Sequence, residues 1–495
     1  WFIMKDTYLT YINPSTYEIR FPMLVDRAFE FETGLKHTGT QHGIKVTNLQ
    51  RSLVVKCKKK HEKEAWHQQL EILRERCTIN GFCGDKANQF NSFVPMRENQ
   101  LGYWFVNAKG YMESIAKAIS NAKEEIFITD WWLSPELMLV RPSNDPLHRL
   151  DNLLGKKADE GIRIYIMIYR EMSFAMGLNS AHTERVLKSK NKTNIKIIRH
   201  PRHHVTSGMQ LLWSHHEKCV IIDQKIAFIG GIDLCYGRWD DDLMRLVDLG
   251  EENVRTLKSP AEIAAENLGS KKEPVEASKK IITEMAEDAG VTQSLGSEEM
   301  GANTGPRNKF EYEHPVDRKY AEANIRAKEQ QRIEDERNED SAQRHTSHWV
   351  KIQKKMMRQS SFDSDVEHET EQSTAQYPLI DVQIDTTQRF FIGKDYSNSY
   401  KKDFEFLEKY NEDYIERDKN PRMPWHDEAL VVLGEVARDA ARHFIQRWNI
   451  HKCELGLNDG STPFLLPKSY DDKHELNDID WKSFLDSTPI QVDAQ

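Results

Sequence analysis

Short alternating or wholly apolar runs, separated by turn residues, fill the first sixty positions. Phe2-Ile-Met, Tyr8-Leu-Thr-Tyr-Ile12, Phe21-Pro-Met-Leu-Val25, Gly43-Ile-Lys-Val-Thr47 and Ser52-Leu-Val-Val-Lys56 predict β-strands. Helical spacing takes over at 61–74, where Trp66, Leu70 and Leu73 share one face. From about 80 to 250 helix and strand patterns alternate, which predicts an α/β arrangement. Helices are expected at 108–122, with Ile115 and Ile119 on one side, and at 147–159. Apolar strands are expected at 125–133, 162–169 and 195–199, followed by a hairpin of Cys219 to Ile222 and Ile226 to Ile229 around Asp223, Gln224 and Lys225. Order returns near Arg389-Phe-Phe-Ile, with a strand at 429–433 and a helix at 435–450 that aligns Val436, Ala440, Phe444 and Trp448.

Between these patterned regions, residues 251–385 are charged and poor in large apolar side chains, the composition of a largely disordered linker. Within it, Trp349, Ile352 and Met356 recur at helical spacing among basic residues, a candidate surface-binding helix, and Arg358-Gln-Ser-Ser is a candidate phosphate acceptor. Ligands of α/β sheets sit at strand ends, so Asp130, Trp131 and Trp132, closing the 125–133 strand, are expected to border a pocket.

Composition narrows the function classes. Of 495 residues 38% are hydrophobic and 30% charged, and mean hydropathy is −0.70, consistent with part of the chain being unpacked. A net charge of −9 argues against general nucleic-acid binding. Six cysteines at irregular spacing (57, 77, 83, 219, 235, 453) suggest neither a disulfide framework nor paired zinc ligands, and a reducing, cytoplasmic setting follows. No apolar run approaches the ~20 residues of a spanning helix, so any membrane contact is expected to be peripheral. The chain opens on Trp1-Phe-Ile-Met-Lys5, without a signal-peptide layout or an initiator Met, and reads as a fragment.

The chemistry concentrates at Trp213-Ser-His-His-Glu-Lys-Cys-Val-Ile-Ile-Asp-Gln-Lys-Ile-Ala-Phe-Ile-Gly-Gly-Ile-Asp233. His216, Lys218 and Asp223 are spaced H-x-K-x4-D, and Gly230 and Gly231 follow. A strand period of two puts His216 and Lys218 on the same face, and the glycines would let a ligand approach the backbone. An imidazole beside a fixed ammonium points to phosphoryl chemistry. A zinc cluster of His200, His203, His204, His215 and His216 finds no cysteine pairing to support it.

Six strings together resemble eukaryotic, metazoan-type phospholipase D. They are Asp130-Trp-Trp-Leu-Ser-Pro, Arg199-His-Pro, His215-His-Glu-Lys-Cys-Val-Ile-Ile-Asp, Phe228-Ile-Gly-Gly-Ile-Asp-Leu-Cys-Tyr-Gly-Arg-Trp-Asp-Asp, Pro421-Arg-Met-Pro-Trp-His-Asp and Arg442-His-Phe-Ile-Gln-Arg-Trp-Asn. The resemblance implies a mixed sheet flanked by helices, preceded by a partial β-rich domain (1–76) similar to a pleckstrin-homology domain. The first catalytic half would be 77–250, the linker 251–385, and the truncated start of a second half 386–495.

It further implies hydrolysis of phosphatidylcholine to phosphatidic acid and choline through a phosphohistidine, with no metal or other cofactor. His216 and Lys218 would be catalytic, with Asp223 an orienting or structural carboxylate. Gly230, Gly231 and Asp233 occupy the place of a Gly-Ser-x-Asn phosphate contact in many relatives. The implied partners are a phospholipid surface, phosphoinositides and small GTPases, and Lys56, Lys58, Lys59 and Lys60 offer one basic contact for anionic head groups. The family uses two H-x-K-x4-D motifs facing one another, whereas this sequence contains one, since His451-Lys452 lacks the spacing. A catalytically inactive lipid- or partner-binding isoform is therefore the competing expectation.

Overall fold

The computed structural model describes residues 1–84, 88–89, 92–171, 177–201, 214–250, 389–398, 406–457 and 460–494. Trp213, the expected linker with its Trp349 helix, and Arg358-Gln-Ser-Ser lie outside the described residues.

The N-terminal region builds two antiparallel three-stranded sheets, β1 (Phe2–Lys5), β2 (Tyr8–Ile12) and β3 (Ile19–Leu24), then β4 (Glu30–Thr33), β5 (Gly43–Thr47) and β6 (Ser52–Lys56). A short turn of helix, α1 (Leu35–Thr38), links β4 to β5, and α2 (Lys60–Ile79) follows β6. Leu9, Met23, Val25, Ile44 and Val46 from the strands bury against Leu70, Leu73 and Cys77 of α2. Two orphan N–H groups at the start of α2, those of Lys58 and Lys59, donate to the Glu62 carboxylate at 2.9 and 3.3 Å.

The main body is one eight-stranded mixed sheet. In chain order its elements are β7 (Arg97–Val106), α3 (Ala108–Ser120), β8 (Glu125–Asp130), α4 (Leu150–Asp159), β9 (Arg163–Tyr169), α5 (Ser180–Lys190), β10 (Ile195–His200), β11 (Cys219–Ile222), β12 (Ile226–Gly230), β13 (Glu428–Leu433), α6 (Glu435–Glu454), α7 (Lys473–Asn477) and β14 (Ile490–Ala494). The strand order is β10-β9-β8-β11-β12-β13-β7-β14. β8, β9 and β10 run parallel because α4 and α5 provide the crossovers, and every other pairing is antiparallel.

Alternate side chains of the central strands serve opposite faces. Ile126, Ile128, Ile164, Ile166, Val220 and Phe228 join the core under α3 and α4. Phe127, Tyr165, Ile221, Ala227 and Val432 face α6, where the Phe127 ring stacks on Phe444 at 4.6 Å and 9°. Burial on both faces explains the continuous apolar runs read in the sequence. The buried side of α6 is Ala437, Ala441, Phe444, Ile445 and Trp448, turned slightly from the stripe of Val436 and Ala440, which are only half-buried. The helix starts at Gly434, whose φ of +84° suits a residue without Cβ. A two-pronged pair of Arg97 on β7 with Asp439 on α6, at 2.8 and 2.9 Å, clamps helix to sheet.

Six elements escaped the hydrophobic pattern, of which β4, α1 and α7 are too short to display one. β7 opens on polar Arg97-Glu-Asn-Gln and contains Gly102, α5 is mostly polar, and β14 lies on the sheet's edge. The segment expected to open a second half, 386–495, contributes its strand to this same sheet. β13 sits inside the sheet, bonded to β12 on one side and β7 on the other.

Candidate active site

Strand directions gather the functional residues at one end of this sheet. β8, β9 and β10 finish there at Asp130, Tyr169 and His200, β12 finishes at Gly230, and β7 at Val106. β11 and β13, running the other way, start there at Cys219 and Glu428. The segment carrying His216 and Lys218 leads straight into β11, and Pro421–His426 leads into β13.

His216 is exposed, whereas Lys218 is 5% exposed. Both face Trp131: the His216 ring lies 5.3 Å from the indole centroid and the Lys218 Nζ 5.7 Å. Partial burial, reinforced by the Lys218 ammonium, pushes the His216 pKa below the usual imidazole value, with Arg238 adding to and Asp233 opposing the shift. The neutral ring is the form that can act as a nucleophile. Lys218 Nζ is 3.0 Å from Asp233 Oδ2 and 3.4 Å from the His216 carbonyl oxygen. Asp233 also accepts the backbone N–H groups of Trp131 and Trp132 at 3.0 and 3.1 Å, so the carboxylate that anchors Lys218 is itself pinned to the end of β8.

Other sequence candidates land differently. Asp223 lies at the opposite end of β11 from Lys218, in the β11–β12 turn. There it accepts N–H groups of Lys123, Glu124 and Glu125 at 2.8–3.0 Å and fastens the turn to the start of β8. It touches none of the residues around His216, and its place is structural. Gly230 and Gly231 do leave room, but the chain itself fills it. A Cβ on Gly230 would meet the Glu428 carbonyl at 2.6 Å, and one on Gly231 would meet Asp427 Oδ1 at 2.2 Å. Both glycines let the start of β13 and the residue before it approach closely. Asp233 holds Lys218.

The sequence singled out the strings that hold Arg238, Trp425 and His426 but not the rim they form together. The Arg238 guanidinium lies 3.7 Å over the Trp425 ring and 5.6 Å from Trp132. His426 Nδ1 donates to Asn107 Oδ1 at 2.6 Å, and Trp425 Nε1 donates to Asp427 at 3.2 Å.

Beside the site, Glu217 gathers His443 at 3.2 Å, His215 at 3.8 Å, and Arg447. Arg447 donates at 3.0 Å to Nε2 of His200, whose ring stacks on His451 at 3.8 Å. Burial pushes His200 down to about 2, aided by its neighbours His451, His215 and Arg447, while Glu217 sits below the usual carboxylate range because its histidine and arginine partners outweigh its burial. Among the described residues, no group of three or more His, Cys, Asp or Glu is arranged to hold a metal ion, and His203 and His204 lie outside them. Nor is any described helix long and apolar enough to cross a membrane.

The chain is 39% identical to phospholipase D1 of Rattus norvegicus over 493 residues, covering 96% of this chain and 44% of the relative. It is 31% identical to phospholipase D2 of Bos taurus, covering 96% of this chain and 38% of the relative. The chain thus spans less than half the length of these relatives. Among solved structures, a phospholipase D family member, Nuc from Salmonella typhimurium, overlaps 27% of this chain and 73% of its own at 14% identity and a TM-score of 0.19. The phospholipase D family profile matches residues 118–386, more than half of the sequence, and the chain belongs to the phospholipase D family.

Proposed function

We propose that this chain carries the nucleophile half of a phospholipase D active site acting on phosphatidylcholine at a membrane surface. The observation that carries the reading is the pairing of an accessible imidazole, held neutral, with a buried ammonium fixed by Asp233. In the proposed reaction a ring nitrogen of His216 attacks phosphorus, a P–N bond forms, and the P–O bond to choline breaks. The choline oxygen takes its proton from an acid facing His216 across the site. Water then attacks the phosphohistidine, giving a proton back to that facing group, the P–N bond breaks, and phosphatidic acid leaves. Lys218 offsets the charge that builds on the phosphoryl oxygens. By family resemblance the facing acid belongs to a second H-x-K-x4-D motif, and phosphoinositides and small GTPases act as regulators at a cytoplasmic membrane face.

The single motif in 495 residues favours one alternative, an inactive module that binds lipid or a partner. A transphosphatidylation assay with phosphatidylcholine vesicles and a primary alcohol separates the two. Phosphatidylalcohol formed by the wild type and reduced at least a thousandfold in His216→Ala is the expected outcome. No product from wild type, together with cosedimentation on anionic vesicles, would favour the binding module.

A further inference from the structure

Resting on the phosphoryl-transfer reading of this site, we propose that Asp130 is a positioning residue that holds one proton in common with Asp233 and thereby fixes the charge Lys218 presents to a phosphoryl group. The last residue of β8, Asp130 is 1% exposed and lies beside Asp233, which is 2% exposed: Asp233 accepts the N–H groups of the two residues after Asp130, and Asp130 accepts the N–H of the residue after Asp233. Two adjoining carboxyls this deeply buried beside one ammonium are balanced only when one of them keeps its proton. The carboxyl oxygens find donors that suit this arrangement. Asp233 takes Lys218 and the N–H groups of Trp131 and Trp132, while Asp130 Oδ2 takes only the N–H of Leu234, at 3.3 Å. The proton therefore resides on Asp130, the carboxyl with fewer donors, and the trio of Asp130, Asp233 and Lys218 is electrically balanced in a dry setting.

The other titratable groups facing Asp130 cannot take over the role. The Tyr111 phenol on α3, the Cys219 thiol at the start of β11 and the Cys235 thiol beyond β12 are pushed upward first by their burial. Burial and the neighbouring Asp233 likewise push Asp130 well above the carboxylate range. Were Asp130 to ionise, a second buried negative charge would lie beside Lys218, holding its ammonium more tightly and repelling an incoming phosphoryl group.

Asp130→Asn mimics the neutral carboxyl and cannot ionise. In the full chain, the infrared carbonyl band of a protonated buried carboxyl is expected at neutral pH in the wild type and absent from Asp130→Asn. Orthovanadate serves as the phosphoryl probe. Its affinity for the wild type should fall about tenfold further than that for Asp130→Asn as pH rises through the titration of Asp130, one unit of pKa coupling being tenfold. A band that survives in Asp130→Asn, or the same pH slope in both proteins, overturns the proposal while leaving the phosphoryl reading intact. Failure of the wild type to bind vanadate at any pH, with His216→Ala no different, removes the phosphoryl reading and the proposal together. Should Asp130→Asn fold poorly, Asp130→Ser, equally neutral, repeats the comparison.

Discussion

The motif H-x-K-x4-D holds residues with two kinds of work. His216 and Lys218 both turn to Trp131, as their alternate spacing in an extended segment suggested. Asp223 is separated from them by the four residues of β11, about 13 Å of strand. Its two oxygens serve three backbone N–H groups, so Asp223→Ala leaves those donors without their acceptor. A stability loss of about 2–4 kcal/mol is expected, measured by urea unfolding, with His216 chemistry unaffected in the folded fraction. Loss of turnover at unchanged stability would instead put Asp223 in the reaction. The sequence could reveal spacing along one strand. It could not reveal that Asp233 would anchor Lys218 or that Asp130 would share its burial, because those contacts depend on which strands become neighbours.

Helix α6 meets the catalytic end of the sheet through histidines, and that contact has a direction in pH. Arg447 donates to Nε2 of His200, which requires that nitrogen unprotonated, and His200 stacks on His451. Burial lowers both pKa values, His200 to about 2 from 6.5. A folded-state pKa below the unfolded one means that this stabilising contribution is complete above pH 6.5 and declines as pH falls toward 2. Between pH 6.5 and 5 the expected loss from this pair is about 1–3 kcal/mol, and His451→Phe, which keeps a stacked ring but no titration, should flatten that limb of a melting-temperature profile. A profile unchanged by the substitution would remove His451 as a contributor and leave the limb to His200. Elements of this kind were only partly legible. The hydrophobic stripe located α6 itself, since Phe444 and Trp448 must bury, but β7 escaped because it opens on four polar residues, and α5 because polar residues supply most of its positions. Packing against a preformed sheet, rather than their own periodicity, decides their conformation.

Across the molecule, residues before 251 and after 388 complete a single sheet. β13 is hydrogen-bonded along both edges and α6 covers the face opposite α3, so chain connectivity through 251–388 contributes little to holding these parts together. Limited proteolysis within 251–388 is therefore expected to give two fragments that remain associated through size-exclusion chromatography and separate only in denaturant. Separation under native conditions would show that the strand pairing does not suffice. The segment after 388 was expected to begin a second half, and its aromatic turn did signal a return to order. What a linear pattern could not show was that its strand belongs between two strands already made.

That placement also bears on how the protein is born. Strand β12 leaves the ribosome roughly two hundred residues ahead of β13, and β7 earlier still, so the edge of β12 waits about 10–40 s at ordinary synthesis rates. Throughout that wait the facing edges of both strands have no partner, and Phe127 and Ala227 lack the cover that α6 will bring. A nascent chain in this condition is a natural client for chaperones that shield open strand edges, and slowing translation beyond residue 251 should lower the soluble yield more than slowing it earlier.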